Sequence, residues 1–209
     1  MNNYKIVFMG TPDFGIPSLN ELYKQGYEVE AVYTQPDRVN KRGNKVQFSA
    51  VKQFALEHDI TIYQPNSLKD EKELDVLRAL NPDLIIVIAY GKILPQAVLD
   101  IPKYGVINVH ASLLPKYRGA APVQRSIIDG EETTGVTIMQ LDAGMDTGNI
   151  IAEKSVFITP HMTSEDLFDV LSNVGAKLLI DVLDDLPAKL AASVKQDESK
   201  ATYAEKLTK

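Results

Sequence analysis

Residues Leu84-Ile85-Ile86-Val87-Ile88-Ala89 are apolar without a break. A strand with no polar face has to be covered on both sides, which is the position of an inner strand in a parallel sheet. Lys5 to Met9, ending at Gly10, has the same character, and Gly105 to Val109 reads as another short buried strand. Glu28 to Thr34 and Thr61 to Tyr63 add two more strands. Between them, helices are expected over Pro17–Gln25 (stopped by Gly26), Ser49–His58 and Lys69–Leu80. Strands alternating with helices at this spacing predict an α/β chain with a Rossmann-like, mostly parallel twisted sheet flanked by helices. Beyond a helix at Pro122–Ile128, strands at Gly135–Leu141 and Asn149–Ile158 have no helix between them, so an antiparallel addition at the sheet edge is expected. Ser164–Leu183 reads as a long amphipathic helix, with Ser164 as N-cap and Glu165 and Asp166 complementing its dipole. From Gln196 to Lys209 the chain is polar, as in a linker or a frayed end.

The strand ending at Val109 leads into the segment that carries chemistry, Asn108-Val109-His110-Ala111-Ser112-Leu113-Leu114-Pro115. Residues two apart on a strand share a face, so Asn108 and His110 project together at the strand's carboxyl end, where open α/β sheets place their ligands. Downstream, Asp142-Ala143-Gly144-Met145-Asp146-Thr147-Gly148 forms a turn-rich stretch. An Asp beside a His orients the imidazole and favours its charged form. An Asn amide there can donate to an oxyanion. The set suits attack of an amine on a carbonyl; the plainer reading is that Asp142 and Asp146 cap a turn. Cation-loop spacing and its distal Glu are missing, and the chain has no cysteine, so no metal site is expected. His58 and His161 lie in polar surroundings and read as surface residues.

Two other segments carry weaker signals. Gly10-Thr11-Pro12-Asp13-Phe14-Gly15 sits where phosphate loops sit but lacks both G-x-G-x-x-G and the P-loop ending, so a tight strand-to-helix turn is expected. Ser112 is outside any nucleophile elbow, and with apolar Leu113-Leu114-Pro115 behind it reads as a pocket wall. The net charge of −6 means that a polyanionic partner needs a local basic patch. Arg38, Lys41, Arg42 and Lys45, in a polar segment from Gln35 to Phe48, offer one, and a merely solvated loop is the alternative. No stretch approaches the ~20 apolar residues of a membrane span, so no membrane association and a cytoplasmic location are expected.

Phe8-Met9-Gly10-Thr11-Pro12-Asp13-Phe14, Thr34-Gln35-Pro36-Asp37-Arg38, Ala89-Tyr90-Gly91-Lys92-Ile93-Leu94-Pro95, Ile107 to Pro115, Arg118 to Arg125 and Gly135 to Gln140 resemble the folate-dependent formyltransferase family over essentially the whole chain. The Arg118-Gly119-Ala120-Ala121-Pro122 run and the basic insert are similar to its tRNA-directed branch. The resemblance implies transfer of the formyl group of 10-formyltetrahydrofolate to the α-amine of methionine on initiator tRNA, in translation initiation, with folate as co-substrate and no metal. It implies Asn108, His110 and Asp146 as catalytic residues. It implies folate contacts at Ser112, Leu113, Leu114 and Pro115, at Ile88, and at Met139, Gln140, Leu141 and Gly144. Arg38, Lys41, Arg42 and Lys45 become the tRNA-facing candidates. Such enzymes continue into a β-barrel-like tRNA-binding domain. Residues 1–195 are therefore expected to be the catalytic domain, and 196–209 a linker toward a domain absent from this chain, which is expected to be a monomer. Two alternatives remain open: a relative acting on glycinamide ribonucleotide, an amino sugar or formylfolate itself, and a non-catalytic nucleotide- or nucleic-acid-binding domain on a Rossmann-like sheet.

Overall fold

In chain order, the first of two compact units, Met1–Val106, contains β1 (Lys5–Gly10), α1 (Ile16–Lys24), β2 (Glu28–Tyr33), two-residue strands β3 (Arg38–Val39) and β4 (Val46–Gln47), α2 (Ala50–Glu57), β5 (Thr61–Tyr63), α3 (Glu71–Leu80), β6 (Leu84–Ile88) and α4 (Gln96–Leu99). The structure is a computed structural model and describes residues 3–39 and 45–208. Lys41 and Arg42, two of the tRNA-facing candidates, lie outside the described residues.

β1 runs parallel to β2 on one side and to β6 on the other, and β2 runs parallel to β5, giving the order β5-β2-β1-β6. All five residues of β6 are buried, as its unbroken apolar run requires. The chain winds outward from β1 to β5 and then returns to the far side of β1. Strand order thus reverses between β1 and β6, whose ends Gly10 and Ile88 pair in register. This is the switch point at which open α/β sheets bind ligands. The glycines there serve close packing: a Cβ on Gly10 would lie 2.7 Å from the Ile88 carbonyl oxygen, and one on Gly15 2.9 Å from the Phe8 ring. The expected tight strand-to-helix turn is what forms.

The polar segment after β2 is tied down at its base. Asp37 accepts from Lys52 Nζ at 2.6 Å and from Gln64 Nε2 at 2.8 Å, and the Lys52 contact holds its carboxyl below the ordinary range. Gln35 Nε2 donates to the Tyr90 and Gly91 carbonyls at 3.2 and 3.1 Å. The reading of His58 as a plain surface residue is corrected: its ring stacks on Phe54 at 3.9 Å, meets Tyr23 edge-on, and hydrogen-bonds the Phe54 carbonyl through Nδ1. His161 is exposed.

The second unit, Ile107–Lys209, takes up all but the first residue of β7 (Val106–His110), then α5 (Pro122–Ile128), β8 (Thr133–Gln140), β9 (Ile150–Phe157), α6 (Ser164–Asp184) and α7 (Leu186–Ala191). β8 pairs antiparallel with β7 and with β9, the antiparallel addition that the missing helix predicts. The protein is an α/β fold whose sheet is mostly parallel, with antiparallel members and flanking helices. Leu167, Leu171, Leu179 and Leu183 bury one face of α6 against β8 and β9. Among the described residues no helix is long and apolar enough to cross a membrane.

Two details differ from the sequence reading. The N-cap of α6 is Thr163, not Ser164: Thr163 Oγ1 accepts from Asp166 N while Asp166 Oδ2 accepts from Thr163 N, a capping box. And the segment from Gln196 is not frayed. Gln196 and Ala204 are buried, Arg118 bridges Tyr203 in parallel, and Ala204 O accepts from the main-chain N–H groups of Ala120 and Ala121. A polar tail stays ordered where its backbone and side-chain groups find such partners.

Candidate active site

Strand alternation places Asn108 and His110 on one face of β7, opposite Met139 and Thr137 of β8 in the ladder. His110 is buried, with 7% of its surface exposed. Its Nε2 lies 2.8 Å from the Tyr117 carbonyl oxygen. A carbonyl only accepts, so Nε2 carries a hydrogen in either protonation state and the proton that comes and goes belongs to Nδ1. Nδ1 faces Asp146 Oδ2 at 3.7 Å, too long for a hydrogen bond and within ion-pair reach. Asp146 Oδ2 also accepts from Gly119 N at 2.7 Å. The Asp146 side chain keeps 17% exposure, so it is the side of the pair open to solvent.

The two groups that hold His110 both adopt left-handed backbone: Tyr117 at φ 58° and Asp146 at φ 54°. That conformation is costly for a side chain bearing a Cβ and persists where surrounding bonds impose it. Tyr117 is held by its main-chain N–H on Thr202 Oγ1 at 2.9 Å and by its hydroxyl on Asp129 and Glu131. Burial, and after it the same carboxylates, push the Tyr117 phenol well above its ordinary range. Asp142, by contrast, does cap the turn, accepting from Gly144 N at 2.9 Å and Thr147 Oγ1 at 2.6 Å. The bland reading therefore holds for Asp142, while Asp146 faces the histidine.

Ser112 to Pro115 lead directly out of β7. The Ser112 hydroxyl donates to Lys116 O at 2.6 Å, and Thr137 Oγ1 ties the segment to β8 through Ser112 O and Leu114 N. Leu113, Pro115, Gln140 and Leu141 are half-buried and Gly144 is exposed, whereas Ser112, Leu114 and Met139 are buried. Ile88, in the first unit, is fully buried at the end of β6. Arg38 and Lys45 are exposed at the small β3–β4 ladder. Sequence reasoning missed Tyr117, Gly119, Gln196 and Thr202, which hold the His110–Asp146 pair. Gly119 stands in the Arg118–Pro122 run but with no role read for it, and nothing marked the other three, because polar residues outside regular elements give no hydropathy pattern.

A buried histidine at a strand end, paired with a carboxylate and preceded two residues earlier by an asparagine, on an α/β sheet, is an arrangement for acyl-level transfer. Residues 4–183 match the formyl transferase family, and the chain belongs to it. It is 53% identical over 205 residues to a methionyl-tRNA formyltransferase of Hydrogenovibrio crunogenus, covering 98% of this chain and 66% of that one. It is 52% identical over 206 residues to one from Clostridium perfringens, with the same coverage. The chain thus spans about two thirds of the length of these relatives. The fold is shared with glycinamide ribonucleotide transformylase 1 from Symbiobacterium toebii (TM-score 0.76, 17% identity, 93% of this chain and 95% of that one). It is also shared with an N-formyltransferase from Helicobacter canadensis in complex with folinic acid and dTDP-3-aminofucose (TM-score 0.73, 22% identity, 96% and 70%).

Proposed function

We propose that this chain transfers the formyl group of 10-formyltetrahydrofolate to the α-amine of methionyl initiator tRNA. The observation that carries this reading is the 53% identity along 98% of the chain to a methionyl-tRNA formyltransferase. The folate co-substrate is supported by the folinic acid bound to the related Helicobacter canadensis protein. The half-buried, apolar side chains of Leu113, Pro115 and Leu141 suit contact with a flat heterocycle. Ile88, Met139, Gln140 and Gly144 complete the proposed folate set. Arg38, Lys41, Arg42 and Lys45 are the proposed tRNA contacts. Residues 196–209 are proposed to lead toward a tRNA-binding domain of the kind such enzymes carry.

In this reading the amine arrives neutral, and its nitrogen forms a bond to the formyl carbon. The bond from that carbon to N10 breaks, and the proton lost by the amine ends on N10. Asn108 donates through its amide to the oxyanion that develops on the formyl oxygen. His110 contributes through Nδ1, since Nε2 is committed to Tyr117. Protonated at Nδ1, it is paired with Asp146 and can donate to the oxyanion; Asp146, partly exposed, handles the migrating proton. No covalent enzyme intermediate is required.

The test is turnover of Asn108→Ala and His110→Ala beside folate binding measured by calorimetry. Removing one oxyanion donor costs ~10²–10³ in rate. Both variants should lose at least that much while folate affinity stays within a few-fold. Turnover near wild type in either would remove that residue from the mechanism.

A further inference from the structure

The carboxylate of Asp146 is held at a strained residue, and the bonds that hold it come from two segments that the reaction scheme does not use. Gln196, 4% exposed, donates through Nε2 to the Asp146 carbonyl at 2.8 Å and to the Gly148 carbonyl at 2.7 Å, both on the C-terminal side of the left-handed residue. Its Oε1 accepts from Arg118 Nε at 3.1 Å and Nη2 at 2.9 Å. Both donors and both acceptor positions of the amide are thus engaged. The Arg118 side chain has no exposed surface and is fixed in turn by a two-point pair with Glu198, at 2.9 and 2.8 Å. Arg118 is also the residue before Gly119, whose N–H donates to Asp146 Oδ2.

We propose that Gln196, set by Arg118, is a positioning residue for Asp146: the amide fixes the main chain of Asp146 while the Arg118–Gly119 backbone fixes its carboxylate. The role rests on the reading that His110 and Asp146 carry the proton work. Residue 196 lies beyond the stretch that matches the family, residues 4–183, and Thr202 of the same tail holds Tyr117, the other support of His110. The tail is therefore part of the site's framework on both sides of the imidazole. Loss of the Gln196 amide frees Asp146 to leave the left-handed conformation, carrying Oδ2 away from Nδ1.

The test is a double-mutant cycle on the full chain with Gln196→Ala and Asp146→Asn. Gln196→Ala should lower kcat at least tenfold with KM for 10-formyltetrahydrofolate within about twofold. The double variant should be no slower than Asp146→Asn alone within twofold, because a residue acting through Asp146 has nothing left to position. Multiplying losses would overturn the proposal. Gln196→Glu keeps an acceptor for Arg118 but sets a carboxylate oxygen against the two carbonyls, so it should match Gln196→Ala in kcat; wild-type kcat would overturn the proposal. The ¹⁵N resonance of His110 Nδ1, read without substrate, should shift in both variants. An unmoved resonance refutes the positioning role. If wild-type protein transfers no formyl group, the functional reading fails and this spectrum alone decides the role of Gln196.

Discussion

Gly148→Ala tests how tightly the loop bearing Asp146 is packed on β8. A Cβ at position 148 would lie 1.6 Å from the carbonyl oxygen of Gln140 and 2.8 Å from its carbonyl carbon. Real contacts of this kind essentially never fall below 3.0 Å, so the loop has to lift off the strand by more than an ångström. The obstacle is backbone and cannot rotate away. Overpacking of a rigid site costs about 1–3 kcal/mol. The same movement stretches the bond from Gln140 N to Asn149 O, 2.9 Å, and that from Gln196 Nε2 to Gly148 O, 2.7 Å, and each such bond contributes about 0.5–1.5 kcal/mol. The total is about 2–6 kcal/mol, or a fall in Tm of roughly 4–24 °C for a chain of this length. Gly26→Ala is the comparison: φ is +76° but nothing lies within 4 Å of the new Cβ, so only the left-handed backbone cost of about 1–2 kcal/mol applies. Melting curves by circular dichroism, with turnover measured beside them, read both. Gly148→Ala should lose turnover as well as stability, and Gly26→Ala should keep turnover. A Gly148→Ala protein that melts within a degree of wild type with full turnover would refute the packing described.

Thr163→Ala removes the capping box of α6 and should cost about 0.5–2 kcal/mol in chemical denaturation, whereas Ser164→Ala should be close to neutral; the reverse order would contradict the cap assignment. The Arg118 guanidinium holds the Glu198 carboxyl below its ordinary 4.5. A depressed carboxylate contributes stability above its unfolded value and loses it as pH falls through the depressed one. Carboxyl ¹³C titration should therefore place the Glu198 midpoint below 4.5, and a midpoint at or above that value would break the clamp. Arg42→Ala should weaken use of charged tRNA more than use of folate; equal effects would leave the basic segment a solvated loop.

The elements buried on both sides were legible because continuous burial leaves a continuous apolar run, as in Leu84–Ile88. The antiparallel strands were legible from the absence of a helix between residues 141 and 149. Asn108 and His110 were legible as a pair because strand period alone sets their common face. What escaped was held together by polar satisfaction. Arg118 and Gln196 are buried because each supplies what the other needs, and neither hydropathy nor spacing shows a match between residues 78 positions apart. The tail therefore read as a frayed end. His58 escaped for a similar reason: its neighbours in sequence are polar, and Tyr23, which meets its ring, comes from another helix. Thr163 and Ser164 both offer a cap hydroxyl, and only the return bond from Asp166 separates them.

The most direct test of the proposed activity is formyl transfer from labelled 10-formyltetrahydrofolate to methionyl initiator tRNA, with glycinamide ribonucleotide as acceptor in parallel. The account predicts formyl-methionine in the tRNA reaction and no product with the small amine. Product with glycinamide ribonucleotide and none with tRNA would contradict it.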